Sequence, residues 1–211
     1  MLEPMRNTTA SALDTDTALL TEAVQRAQAR DRAAFEILYL HYKALIWKRL
    51  VHLVGDKEIV HDLFQETFLR AWNKLPETRN VLQFEPWLKR IAANLAIDYL
   101  RHEKKLLFLP LPEDEPEGHS LFAFPYVAGP EEQVSEVECI QQALSQMSPR
   151  YRVCALLQDQ WGFSQREIAQ LLNISEKGVS SYISRGREQL RLAYVNLANE
   201  LYKAEKGEST R

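Results

Sequence analysis

A proline-rich, acidic stretch interrupts the chain near its middle, at FLPLPEDEPEGHSLFAFPYVAGPEEQ, residues 108–133. Its five prolines and two glycines preclude a continuous helix, because proline lacks the amide hydrogen that a helix uses. Its clustered carboxylates disfavour a buried core. Helical periodicity ends before this stretch and resumes after it. The chain is therefore predicted to hold two folded domains joined by a flexible acidic linker, which we assign to residues 106–132.

Before the linker, apolar residues recur at helical spacing in four segments, and strand-like alternation is absent. Asp31 can cap the second segment, Gly55 and Asp56 break the pattern before the third, and Pro86 suits the first turn of the fourth. Short breaks favour a compact helical bundle at residues 17–105, after a disordered tail at residues 1–16. The four predicted helices span residues 19–29, 33–53, 57–75 and 84–101.

The third segment, DLFQETFLRAW, places an apolar residue on a face that helical spacing predicts to be in water. Its buried stripe is predicted to contain Leu63, Phe64, Thr67, Phe68, Ala71 and Trp72. Leu69 lies on the opposite face, with Asp62, Gln65, Glu66 and Asn73. An apolar centre with an acidic rim is typical of a docking surface for a basic partner.

The C-terminal domain, predicted at residues 133–202 before a tail at 203–211, contains FSQREIAQLLNISEKGVSSYISRGREQLR. Ser164 and Glu167 can form a capping box, Asn173 and Ile174 a tight turn, and Ser175 the cap of a second helix. This is the pattern of a DNA-binding helix-turn-helix. Although the formal net charge is −3, the second helix offers donors to phosphates or base edges. These donors are Lys177, Ser180, Ser181, Ser184, Arg185 and Arg187.

The fourth segment, FEPWLKRIAANLAIDYLR, also has a polar outer face. Helical spacing predicts that it buries Leu88, Ile91, Ala92, Leu95 and Tyr99. It leaves Lys89, Arg90, Asn94, Ile97, Asp98 and Arg101 outside. Taken alone, such a face is usually just solvated.

In their order and spacing, these motifs resemble the sigma-70 family of bacterial RNA polymerase initiation factors, specifically the extracytoplasmic-function (ECF) type. The resemblance rests on AAFEILYLHY, DLFQETFLRAW, FEPWLKRIAANLAIDYLR and MSPRYRVCALLQDQWGFSQREIAQLLNISEKGVSSYISRGREQLR. It implies an all-α protein with two small domains, the sigma-2 bundle and the sigma-4 helix-turn-helix. It also implies a non-enzymatic role, in which the chain binds core polymerase and directs transcription initiation at promoters.

The resemblance assigns a role to each predicted surface. Asp62, Gln65, Glu66 and Leu69 would bind the clamp helices of the polymerase β′ subunit, and residues 134–157 would face the β flap. The loop at 73–83 and the fourth helix would recognise and melt the −10 element, through Asn80, Arg90, Asn94, Asp98 and Arg101. The helix-turn-helix would read the −35 element. An anti-sigma factor is a further candidate partner.

The chain departs from the family at three positions of the recognition helix. Ser180 and Tyr182 stand where relatives often carry basic residues, and Gly178 stands where a threonine is common. Fewer phosphate contacts are therefore expected at the −35 element.

Two alternatives stay open at this stage. The first is a helix-turn-helix regulator that acts without polymerase, which would leave Leu69 without a purpose. The second is a di-iron helical bundle built from Glu58 and His61 with Glu36, His41 or Glu66, although the second Glu-x-x-His that such a site needs is missing.

The sequence predicts no catalytic residue, metal site or cofactor. Cys139 and Cys154 occur singly, without the spacing of a zinc site, and are expected to be buried thiols. No leader pattern or run of about 18 apolar residues occurs, so we expect a cytoplasmic protein without membrane insertion.

Overall fold

The computed structural model describes residues 8–78, 83–103 and 136–208. These residues form eight α-helices and one short 3-10 helix, with no strand among them. The α-helices are α1 (Thr8–Gln28), α2 (Arg32–Val54), α3 (Lys57–Lys74), α4 (Phe84–His102), α5 (Glu136–Gln146), α6 (Pro149–Asp159), α7 (Gln165–Leu172) and α8 (Glu176–Glu208). The 3-10 helix spans Leu75–Glu77. The all-α prediction is confirmed, while the predicted linker and Asn80 lie outside the described residues.

Helices α1 to α4 form the N-terminal domain, with α2 packed against the other three. The Asp31 side chain caps α2 by accepting from the amides of Ala33 and Ala34, and Asp56 caps α3 in the same way. Gly55 ends α2 with a φ of 86°, a conformation that favours glycine. The predicted helix boundaries agree with the observed ones to within one or two residues, except at α1.

Helix α1 begins at Thr8, inside the segment that we expected to be a disordered tail. Few apolar residues mark a helical face there, so the pattern is weak. The buried residues Ala23, Val24 and Ala27 anchor the later turns of α1. A formed helix extends easily, because each added residue gains a hydrogen bond without a new nucleation cost.

Helices α5 to α8 form the C-terminal domain, in which α8 packs against α5, α6 and α7. Cys139 and Cys154 are buried and free, as predicted. Burial raises the pKa of the Cys154 thiol to about 12, because the thiolate would lose its hydration. This thiol is therefore inert.

The two domains touch each other. Helix α2 packs against α6, and buried apolar residues of both domains belong to one continuous cluster. This arrangement brings the end of α6 and the helix-turn-helix to the N-terminal bundle.

Candidate polymerase and nucleic-acid interfaces

Leu69 lies on the outer side of α3, where 56% of its surface is exposed. Asp62 and Gln65 are exposed on the same side, and Glu66 is half-buried. Glu66 forms an ion pair with Arg70 one turn further on, which neutralises part of its charge. The structure therefore brings the four residues predicted for polymerase binding together on one accessible surface, the Leu69 surface.

The opposite side of α3 holds this surface in place. Tyr39 of α2 meets Phe64 and Phe68 edge-on, with ring centroids 6.1 and 5.0 Å apart. At the end of the helix, the guanidinium of Arg30 donates to the carbonyl oxygen of Trp72 and lies over its ring. These contacts fix the rotation of α3, so Leu69 cannot turn inward without disrupting the core. The buried residues of α3 are Val60, Phe64, Thr67, Phe68 and Ala71.

The outer face of α4 carries the residues predicted for the −10 element. Arg90, Asn94, Asp98 and Arg101 are all exposed. Arg101 lies 3.5 Å from the Asp98 carboxylate, one turn away. This group is called the α4 face below.

Two residues predicted to lie outside on α4 do not share this exposure. Ile97 is fully buried, so its predicted position is wrong. Lys89 is half-buried and forms an ion pair with Glu85. Ile97 belongs to the apolar cluster that both domains share, which spacing along α4 alone could not anticipate.

The helix-turn-helix has the predicted local structure. Ser164 and Glu167 form the capping box of α7, and Asn173 ends that helix in the left-handed conformation, with a φ of 56°. The Ser175 hydroxyl accepts from the amide of Gly178 and so caps α8. Hydrogen bonds from Ser164, first from its amide and then from its hydroxyl, lower the pKa of the Glu167 carboxyl.

The centre of the predicted DNA-reading face on α8 is accessible. Lys177, Ser180 and Ser184 are exposed, and the half-buried Ser181 donates to the carbonyl oxygen of Lys177. Tyr182, in contrast, is buried against Tyr151, with ring centroids 5.6 Å apart. Tyr182 therefore belongs to the core and is not part of the accessible DNA-reading face.

The two arginines predicted to read DNA lie on the flanks of this face. Arg187 is exposed but forms a bidentate ion pair with Asp159 of α6, which raises the pKa of the guanidinium. Arg185 donates to the Tyr151 hydroxyl across 3.3 Å. Each cation thus already has a partner in the domain, and spacing along α8 gave no sign of either partner.

The metal-site alternative has no support in the part of the chain that the structure describes. No three His, Cys, Asp or Glu residues there group together as metal ligands. Glu58, His61 and Glu36 face solvent instead of converging inside the bundle. Across the same described residues, no helix combines the length and apolarity needed to cross a bilayer.

Comparison with known proteins matches both domains. The family model for sigma-70 region 2 matches residues 38–106, and the model for sigma-70 region 4 matches residues 137–190. The ECF RNA polymerase sigma factor SigW of Bacillus subtilis (strain 168) is 30% identical over 178 residues, covering 82% of this chain and 95% of the relative. SigM of the same organism is 30% identical over 163 residues, covering 77% and 96%.

The fold is also similar to that of CnrH, whose structure was solved in complex with the cytosolic domain of CnrY. The TM-score is 0.50 and the identity 21%, covering 82% of this chain and 96% of that chain.

A helical chain that combines regions 2 and 4 in this order is a sigma-70 family sigma factor, which directs RNA polymerase to initiate transcription at specific promoters. Within that family, the chain belongs to the ECF sigma factors. The polymerase-independent regulator does not account for the region 2 match.

Proposed function

We propose that this sigma factor binds core RNA polymerase through the Leu69 surface, with the clamp helices of the β′ subunit as its partner. The observation that carries the proposal is the 56% exposure of Leu69 on a helix whose other large apolar residues are buried or half-buried. Burial of this side chain in a partner would contribute roughly 2 kcal/mol. Asp62 and Glu66 at the rim would add charge complementarity to a basic partner face.

The α4 face, together with the loop that contains Asn80, would bind the −10 element and separate its strands. Strand opening requires a protein that binds a flipped base and the exposed single strand better than it binds the duplex. Arg90 and Arg101 supply cations for the backbone, and Asn94 supplies an amide for a base edge. No bond is cleaved, so binding energy alone shifts the duplex equilibrium.

The outer face of α8 would read the −35 element. Lys177, Ser180 and Ser184 are the exposed residues of its centre, with the half-buried Ser181 beside them, while Arg185 and Arg187 lie to the sides. With few unpaired cations on this face, we expect weak phosphate contacts and a strong dependence on core polymerase for promoter binding.

Three finer assignments belong to the same proposal. Residues 134–157 would face the polymerase β flap and support the helix-turn-helix. An anti-sigma factor would bind the chain and hold it inactive; the solved complex of CnrH with CnrY is compatible with a protein partner on this fold. The site of action would be the cytoplasm, where polymerase and promoter DNA are found.

The substitution Leu69→Asp tests the polymerase interface. We expect it to weaken binding to purified core polymerase by about tenfold or more, because an apolar contact is replaced by a charge that must be desolvated. The matched control is Leu19→Asp, since Leu19 of α1 is 58% exposed in the same domain. Wild-type affinity in Leu69→Asp, or an equal loss in Leu19→Asp, would refute the assignment.

Transcription reconstituted with and without core polymerase tests the proposed recognition of the −10 and −35 elements. The chain should select start sites only in the presence of core enzyme, and sequencing those transcripts would identify its promoters. If the chain alone bound promoters as specifically and as tightly as its complex with core polymerase does, the proposed dependence on core polymerase would be wrong.

A further inference from the structure

A cavity of about 360 Å³ opens between the C-terminal part of α2, the start of α3 and the middle of α5. Small-molecule pockets in proteins measure roughly 300–1,000 Å³, so this cavity is large enough for one compact ligand. No role proposed above uses it. Six described residues line it, and they come from both domains: Trp47, Lys48, Val51 and His52 of α2, Lys57 of α3, and Gln141 of α5.

The charged side chains that line this cavity are cationic, although the whole chain has a formal net charge of −3. Lys48 and Lys57 are exposed, and neither ammonium group has an ion-pair partner among the described residues. Asp56, the neighbour of Lys57, directs its carboxylate to the first amides of α3 instead. Because a recess lined by one sign of charge concentrates counter-ions, the cavity should attract anions.

Apolar side chains form another part of the wall. The Trp47 ring meets the rings of Phe64 and His61 edge-on, with centroids 5.6 and 6.5 Å apart, and these contacts fix its orientation. The half-buried Val51 lies one turn further along α2. The cavity therefore offers a flat aromatic ligand a preformed surface as well as positive charge.

Two neutral polar side chains complete the lining. Nδ1 of His52 is 2.9 Å from the side-chain oxygen of Gln160, so Nδ1 carries the proton and donates it. Burial lowers the pKa of this imidazole, which keeps Nε2 available as an acceptor near pH 7. The half-buried Gln141 brings an amide with both donors and an acceptor. Such groups suit the hydroxyls of a sugar or the edge of a base.

We propose that this cavity binds a nucleoside diphosphate, with the phosphates at Lys48 and Lys57 and the base against Trp47. A lysine ammonium binds phosphate as a point charge, and an indole ring stacks on any base. Neither a purely apolar ligand nor a simple anion would use both parts of the lining. The inference is independent of the proposed interfaces, because no lining residue belongs to the Leu69 surface, the α4 face or the DNA-reading face of α8.

A bound nucleotide would contact both domains. Gln141 belongs to the C-terminal domain and the other lining residues to the N-terminal domain. A ligand that binds only when both domains contribute stabilises their contact by mass action. At a nucleotide concentration ten times the Kd, the ratio of joined to separated domains should rise by about tenfold.

Equilibrium dialysis of the full-length protein tests the ligand class, at low salt and without magnesium. The probes are ADP, GDP, adenosine and inorganic pyrophosphate. ADP or GDP should bind at least tenfold more tightly than adenosine, which lacks the phosphates, and than pyrophosphate, which lacks the base. Absence of binding by both nucleotides at millimolar concentration would overturn the proposal. Pyrophosphate binding as tight as that of the nucleotides would overturn the contribution of the base.

Charge removal tests the site. Lys48→Ala and Lys57→Ala should each weaken binding of the better nucleotide by about tenfold. Lys43→Ala is the matched control, because Lys43 is an exposed lysine of α2 that does not line the cavity. Circular dichroism establishes that each variant is folded. Unchanged binding when Lys48 and Lys57 are both replaced, or an equal loss in Lys43→Ala, would assign the nucleotide to another place and overturn the proposal.

Gln141→Ala tests the contribution of the C-terminal domain. We expect nucleotide binding to weaken several-fold, whereas Gln146→Ala, at an exposed position of the same helix, should bind as the wild type does. Wild-type affinity in Gln141→Ala would overturn a site that both domains share. Core polymerase is absent from these measurements, so their outcome is separate from that of Leu69→Asp.

Discussion

At Gly186, α8 lies in close contact with the backbone of α6. A Cβ built at this position would lie 2.6 Å from the carbonyl oxygen of Tyr151 and 3.0 Å from the Cβ of Ala155. Only a hydrogen fits there, so the packing of the recognition helix depends on a glycine in its interior. A glycine inside a helical pattern is the sequence signal that could have identified this close approach.

Replacing Gly186 by alanine should destabilise the C-terminal domain by about 1–3 kcal/mol, because α8 must move away from the backbone of α6. The loss outweighs the gain in helix propensity that alanine normally brings, about 1 kcal/mol. Thermal or urea unfolding followed by circular dichroism measures the change. Ser184→Ala, at an exposed position on the same helix, should have almost no effect; an unchanged or raised stability in Gly186→Ala would contradict the close approach.

At the scale of elements, the short helix α7 depends on its capping box. It spans only Gln165–Leu172, too short to be stable alone, so the hydrogen bonds at its start matter. The Ser164 hydroxyl accepts from the Glu167 amide, and the Glu167 carboxylate accepts from the Ser164 amide. The cap orients α7 and, through the turn at Asn173, the recognition helix that follows.

Removing the cap with Ser164→Ala should reduce the stability of the domain by about 1 kcal/mol. Ser180→Ala removes a hydroxyl from an exposed position in α8 and serves as the control. Chemical denaturation of both variants measures the effect of the cap: the midpoint should be lower for Ser164→Ala than for Ser180→Ala. Equal midpoints would show that the cap does not contribute.

The same cap should make the domain sensitive to acid. Because its pKa is lowered in the fold, the Glu167 carboxyl binds fewer protons there than in the unfolded chain. Its stabilising contribution is therefore present above the ordinary value of 4.5 and is lost as the pH falls through the lowered pKa. In Glu167→Gln, the free energy of unfolding should depend less on pH in this range. An unchanged dependence on pH would show that Glu167 does not cause the acid sensitivity.

At the scale of the whole molecule, the contact between the domains contains a titratable residue. Burial lowers the pKa of His52; the hydrogen bond to Gln160, the residue that follows α6, opposes this shift, and the charge of Lys48, which lies on α2 with His52, adds to it. Lys57 and Gln141 line the adjoining cavity, and none of its lining residues in the described part of the chain is a carboxylate. The contact between the domains therefore favours the neutral imidazole of His52.

The contact between the domains should weaken as the pH falls below about 6.5, the ordinary pKa of histidine. With the domains apart, His52 binds the extra proton more readily, so acid shifts the equilibrium towards separated domains. Scattering profiles of the free protein between pH 8 and 5.5 should show expansion on the acid side. In His52→Gln, whose amide does not titrate, the radius of gyration should not change over this range; an equal expansion there would assign the effect to another group.

Local patterns were sufficient for most of the fold. The caps at Asp31 and Ser164, the break at Gly55 and Asp56, and the periodicity between these points located the helices, because such signals act within a few residues. Leu69 was identified in the same way, as an apolar residue on the side of α3 that helical spacing predicts to face water. Its partner was not deducible from spacing and came from the resemblance to sigma factors.

Contacts between residues far apart in the chain could not be predicted from the sequence, and the physical reason is the same for each of them. Ile97 is buried although it was assigned to an outer face, Tyr182 lies in the core, and the exposed Arg187 is paired with Asp159. Helical spacing defines how a residue points relative to its own helix axis, but it carries no information about a second surface that packs on that side.

The sequence by itself determined that this protein is two helical domains around a proline-rich interruption, because periodicity, capping and proline act locally along the chain. Only the tertiary structure decided that the domains touch, that Arg101 donates to Leu171 and that His52 is buried beside Gln160. These pairs lie 70 and 108 residues apart in the chain. What joins them is the packing of whole helices, which no short stretch of sequence encodes.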